Sequence, residues 1–127
     1  MLLGSFLNLS ATAGAIGRLK PRQVLLVCAG TGEGTALEDV LAAGALCEWL
    51  ASAGDTMEPH DSAEIARRTY QNAQVDLPAA VRRAGNARRL LAHAELRDDV
   101  DFCLQKDRFP LVAVGDDTGA IRKEAFS

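Results

Sequence analysis

Lysine is missing from the long middle of this 127-residue chain: none occurs between Lys20 and Lys106. A P-loop needs a lysine after its glycines to reach the phosphates, so that class of nucleotide site is excluded. Basic charge is short overall, with 14 Lys and Arg against 17 Asp and Glu and a formal net charge of −3. Nucleic-acid faces show as basic patches, so no nucleic-acid partner is expected. The three cysteines, Cys28, Cys47 and Cys103, are far apart and form no CxxC pair. Neither a zinc site nor a disulfide framework is indicated, and reduced thiols in a cytoplasmic protein are the expectation. No apolar run reaches the roughly 18 residues that span a bilayer, so no membrane partner is expected. The opening MLLGSFLNLSATAGAIG lacks a basic start and carries Asn8, Ser10 and Thr12, which argues against a secretory signal.

What is present is ordinary for one folded domain: 48% hydrophobic and 24% charged residues, with few aromatics. The length suits a single core, and the expected domain covers residues 1–127. MLLG reads as a strand end. A helix follows over SFLNLSATAGAIGRLK, with Asn8 or Ser10 as its N-cap. RQVLLVCA is the clearest strand, an apolar run without polar alternation, as in a parallel strand buried on both faces. ALEDVLAAGALCEWLASAG is the best helix, with Gly54 at its C-terminal end. DTMEPH is a connector, DSAEIARRTYQNA a helix, and QVDLPAAVRRAGNARRLLAHAEL one or two helices interrupted near Pro78 and Gly85. RDDVDFCLQKD predicts a short helix with Val100, Cys103 and Leu104 inward. FPLVAVGDDTGAIRKE predicts a strand and a return. The order β-α-β-α-α-α-α-β implies an α/β fold. With so few strands, it is expected to be part of a larger sheet or to pair with a second copy.

Chemistry concentrates in CAGTGEGTALED, Cys28 to Asp39. Gly30, Gly32 and Gly34 spell GxGxG, not the dinucleotide GxGxxG, and the next acid, Glu48, sits inside a helix. The remaining readings are an anion or metal turn and a purely structural one. A strand that delivers a glycine loop to a helix start aims N–H groups at an anion, Thr31 and Thr35 add hydroxyl donors, and Glu33, Glu38 and Asp39 are hard oxygen donors suited to Mg2+. Equally, carboxylates in a first helical turn are what the helix dipole alone would favour. His60 lies in a polar connector and His93 in a helix, and each reads as a surface or satisfied residue, although the ordinary imidazole pKa suits acid–base work. The pairs Arg67–Arg68, Arg82–Arg83 and Arg88–Arg89 read as solvated faces, although a guanidinium fork matches phosphate or sulfonate. Asp98, Asp99 and Asp101 read as helix-capping residues in preference to a metal cluster.

GSFLNLSA, followed after a strand by CAGTGEGTALEDVLAAG, resembles the 2-phosphosulfolactate phosphatase family. The matching residues are Gly4, Ser5, Phe6, Asn8 and Ser10, then Cys28, Ala29, Gly30, Thr31, Gly32, Glu38, Asp39, Ala43 and Gly44. Asp61–Ala63 with Tyr70, and the stretch Glu95 to Val100, fit as well. The resemblance implies a layered α/β/α fold with a mostly parallel sheet, of which this chain would be a partial version, its C-terminal half. It implies a Mg2+-dependent hydrolase that turns 2-phospho-3-sulfolactate into 3-sulfolactate and phosphate, as on a route to coenzyme M. Glu38 and Asp39 would be the catalytic and metal residues. Ser5, Asn8, Cys28, Gly30, Thr31 and Gly32 would bind the substrate phosphate, with Cys28 positioning rather than attacking. The expected partners are a small phosphorylated sulfonate and either a second copy or the N-terminal half. The alternative is a truncated, non-catalytic α/β domain that binds a small anion or a partner chain.

Overall fold

A computed structural model describes residues 1–54 and 58–124. The first three residues of the expected connector Asp55–His60 lie outside the described residues. The chain opens with β1 (Leu2–Leu3), a 3-10 turn (Phe6–Asn8) and α1 (Leu9–Leu19), followed by α2 (Leu37–Ser52) and α3 (Asp61–Ala73). Then come α4 (Leu77–Arg82), α5 (Gly85–Leu91), α6 (Arg97–Cys103), β2 (Val112–Gly115) and β3 (Ile121–Glu124). The expected mixture of helices and strands is present, but not as α/β/α layers around a parallel sheet among the described residues. Pro78 does not interrupt a helix but lies in the first turn of α4, where its missing N–H has no partner to lose.

The expected parallel sheet is not present. The described strands form one sheet, order β1-β2-β3, and both pairings are antiparallel. Leu2 faces Val114 and Leu3 faces Ala113, while Val112 to Gly115 pair with Glu124 to Ile121. The physical reason is connectivity. GDDTG is a tight reversal, and Asp116 holds it closed by accepting from Thr118 N–H (2.9 Å) and Ala120 N–H (3.1 Å). A tight reversal joins only antiparallel strands. The run expected as the central parallel strand, Gln23–Ala29, has no strand neighbour and no regular structure.

The core lies where α1, α2 and α3 meet the short helices. Phe6, Leu9, Leu41, Leu46, Tyr70, Leu77, Val81, Val100 and Leu104 form one buried cluster, and Leu41 is fully enclosed. Cys103, expected inward, is exposed. Helices α2 and α3 cross closely at Gly44: a Cβ there would stand 2.1 Å from the Ala66 carbonyl oxygen. Small residues on α2 thus let two backbones touch and hold its first turn, with Glu38 and Asp39, in place.

Candidate functional site

The glycine loop closes on itself before it meets α2. Thr31 N–H donates to the Gly34 carbonyl (3.0 Å), and Gly34 N–H returns the bond to Thr31 (3.1 Å). Gly30 has a φ of +71° and Gly32 of +59°. At Gly30 a Cβ would also approach the Gly34 oxygen to 2.7 Å, so the loop requires glycine there. The Gly30 N–H donates to Asp39 Oδ2 at 2.7 Å. Asp39 therefore reaches back from the first turn of α2 and pins the loop to the helix start.

This changes which atoms face a ligand. The amides of Gly30 and Thr31 are already bonded, whereas Gly32 N–H has no partner among the described residues. Thr31 presents its hydroxyl from an exposed position and accepts from Asn86 Nδ2. The same Asn86 amide donates to Glu38 Oε1. Glu38 Oε2 is buried and has no hydrogen-bond partner among the described residues. Arg89 completes the group by donating to Asn86 Oδ1. A threonine hydroxyl, a carboxylate with one unsatisfied oxygen, an amide and a guanidinium thus converge from the loop, α2 and α5.

Asn86 was not among the residues expected at the site, and Arg89 was named only within the pair Arg88–Arg89, read as a solvated face with a fork that matches phosphate. They lie three apart in α5 and so share a helix face, and Ala84 and Ala87 beside them are buried and seat that helix. The available signal was a polar pair at i, i+3 bracketed by small apolar residues. Nothing in the sequence said that this face meets the glycine loop.

Ser5 and Asn8 are occupied elsewhere. Asn8, only 6% exposed, accepts from Ser5 N–H (2.9 Å) and Ser5 Oγ (3.1 Å) through Oδ1. Its Nδ2 donates to the carbonyls of Leu3 (3.1 Å) and Leu111 (3.3 Å). It ties β1 to the start of α1 and to the approach to β2. No hydrogen bond links either residue to the glycine loop among the described residues. The start of α1 is itself capped from afar, because Ser10 N–H and Oγ both donate to the Asp107 carboxylate (2.6 and 2.7 Å).

Cys28 is exposed, at the entry to the loop. Partial burial of its sulfur, and then the Asp39 carboxylate, push the thiol above its ordinary pKa. A thiol so placed is protonated at neutral pH, which speaks against a nucleophile. The other candidates resolve structurally. Arg67 and Arg68 clasp Glu64 (2.9 and 2.7 Å), and Arg82 pairs with Asp101 (2.7 Å). Among the described residues no group of three His, Cys, Asp or Glu side chains is placed to hold a metal. A surface depression of about 520 Å3 runs along Glu58 to Ser62 at the start of α3 and includes none of the loop residues. No helix of the described residues is long and apolar enough to cross a membrane.

Comparison with known proteins places this geometry in context. The family model described as 2-phosphosulpholactate phosphatase matches residues 1–118. A protein of Thermotoga maritima, named as a probable 2-phosphosulfolactate phosphatase, is 33% identical over 113 residues, covering 88% of this chain and 46% of the relative. Its namesake from Deinococcus radiodurans is 33% identical over 127 residues, 96% of this chain and 52% of the relative. One from Thermus thermophilus is 32% identical over 117 residues, 90% and 47%. The chain spans about half the length of the curated relatives it matches.

Proposed function

The chain belongs to the 2-phosphosulfolactate phosphatase family, and on that premise we propose that it carries the phosphate-handling part of a site that hydrolyses 2-phospho-3-sulfolactate to 3-sulfolactate and phosphate. The single observation that supports this most is the convergence of Thr31, Glu38, Asn86 and Arg89, with one buried Glu38 oxygen left unsatisfied. A buried carboxylate oxygen without a donor is costly unless a proton or a cation meets it.

The residues fit Mg2+. That ion takes one or two carboxylates, keeps several waters and accepts substrate phosphate oxygens, so a compact donor set suffices. Glu38 and Asp39 would hold it. When bound, Mg2+ supplies Lewis-acid polarisation of the phosphoryl group. The chain's own residues do the rest. Arg89 offers a guanidinium to the dianionic phosphate. Thr31 Oγ and Gly32 N–H offer donors to phosphoryl oxygens, where preorganised donors are worth most as charge develops. Asn86 positions Thr31, Glu38 and Arg89 at once. Asp39 and Cys28 fix the loop. Ser5 and Asn8 act on the substrate only through the fold they lock.

The test is phosphate release from racemic phosphosulfolactate by the purified chain, with Mg2+ and with EDTA, beside Mg2+ binding followed by thermal shift. Glu38→Gln is expected to abolish the Mg2+-induced rise in melting temperature and to cut release by at least about 100-fold. A variant that keeps both ends the role given to Glu38. The half-length coverage and the unpaired run Gln23–Ala29 favour a second reading, a non-catalytic domain that needs a partner chain. It predicts a folded protein that releases no phosphate with or without Mg2+.

A further inference from the structure

The side chains around Glu38 form a relay that ends on a charge. Asn86 Nδ2 donates to Glu38 Oε1, and Asn86 Oδ1 accepts from Arg89. The carboxylate and the guanidinium are therefore one amide apart, which is inside the Debye length of about 8 Å at physiological ionic strength. Dissolved salt screens such a pair only in part. Arg89 lies on the exposed side of α5 and makes no other hydrogen bond among the described residues. A guanidinium carries several N–H donors in a fixed fork, so most of those of Arg89 are open to a ligand.

The field of that guanidinium falls on any cation that Glu38 holds. Two positive charges beside one carboxylate oppose each other, so Arg89 weakens the grip of Glu38 on a divalent ion while nothing neutralises the arginine. A phosphate dianion changes the balance. It takes the open donors of Arg89, whose fork matches two of its oxygens, and its charge cancels the guanidinium field at Glu38. The linkage also runs backward, because a cation at Glu38 must strengthen phosphate binding by the same factor. The neighbouring Arg88 stands outside this relay. It donates Nη1 to the Arg83 carbonyl (2.8 Å) and makes no hydrogen bond to Thr31, Glu38 or Asn86 among the described residues.

Resting on the phosphate-handling reading above, we propose that Arg89 is a charge gate on the cation site at Glu38. It holds the affinity for Mg2+ down until a phosphate takes the guanidinium, so that cation and phosphate enter cooperatively. Asn86 fixes the spacing across which the two charges sense each other. The gate keeps the carboxylate from being filled by Mg2+ alone and favours a phosphate that arrives with the cation. Inorganic phosphate obeys the same rule, so it binds best when Mg2+ is present.

The experiment is calorimetric titration of the purified chain with Mg2+, without and with saturating inorganic phosphate, compared at equal free Mg2+. Wild type is set beside Arg89→Gln, Arg89→Lys and Arg88→Gln. Phosphate is expected to tighten Mg2+ binding about tenfold or more in the wild type, within the usual range of coupling between two sites. Arg89→Gln is expected to bind Mg2+ alone at least about threefold tighter and to show coupling below about threefold. Arg89→Lys keeps the charge and should keep most of the coupling. Arg88→Gln removes the same unit charge and should behave as wild type. Both arginines are exposed, so the melting temperature in EDTA should be the same throughout. Equal Mg2+ affinity with and without phosphate in the wild type overturns the proposal. So does full coupling in Arg89→Gln, or an equal loss of it in Arg88→Gln. A chain that binds both ligands without coupling refutes the gate alone, whereas one that binds neither refutes the gate and the phosphate-handling reading together. Phosphate release is not read.

Discussion

Asn8 shows how completely one side chain can be committed to the fold. In GSFLNLS it stands at a helix start, where a polar residue is read as a cap or an anion contact. The structure spends both Nδ2 hydrogens and Oδ1 on the backbone and on Ser5, and it buries the residue. Asn8→Asp keeps the shape and the acceptor but turns two donors into lone pairs facing two carbonyls. The variant is expected to lose about 3 kcal/mol of stability, read as a lower urea midpoint. If Asn8 served only to bind substrate, the midpoint would not move. Glu38 is the opposite case. It was legible as an acid in the first turn of α2, but its unsatisfied oxygen was not, because that depends on where α5 brings Asn86.

At the scale of elements, the helices, the MLLG strand and the β2–β3 return were legible, and the place of QVLLVCA was not. The spans of α2 and α3 follow from local signals: a carboxylate-bearing first turn, an apolar face and Gly54 just past the end of α2. Those signals act within a few residues of chain. Strand pairing is decided by a partner distant in sequence, so QVLLVCA could be recognised as strand-like but not assigned a neighbour. The meeting of α5 with the glycine loop was hidden for the same reason.

The α2–α3 contact carries two predictions. Gly44→Ala drives a methyl into the Ala66 carbonyl, and neither backbone can yield cheaply. A loss near or above the upper end of the usual overpacking range, about 3 kcal/mol, is expected in thermal or urea unfolding. Beside that contact, Glu64 binds Arg67 and Arg68, and Arg67 also reaches Glu48 on α2 (3.5 Å). Hydrogen bonds from Arg67, then Arg68, pull Glu64 from its ordinary 4.5 down to about 2. The folded pKa is depressed, so this stabilisation is present above about pH 4.5 and is lost as pH falls toward 2. Melting temperature should fall across that window, and the fall should be shallower in Glu64→Gln.

For the whole molecule, the balance of surface and charge decides behaviour. The chain carries a formal charge of −3 at neutral pH and an isoelectric point near 5.3. It also exposes apolar side chains beyond what a closed domain would, with Leu25 and Val27 side by side on a segment whose backbone is unpaired. An unpaired apolar segment invites edge-to-edge association, and net charge is what opposes it. The isolated chain should therefore show a solubility minimum near pH 5.3, where that opposition vanishes, and regain clarity on either side. Turbidity followed from pH 4.5 to 8 measures this directly. A Leu25→Asp, Val27→Asp variant both removes the apolar face and lowers the isoelectric point. Its turbidity maximum should be smaller and displaced toward acid. Were charge neutralisation alone responsible, the maximum would move with the isoelectric point and keep its height. A loss of height therefore attributes the association to the uncovered apolar run rather than to the pI.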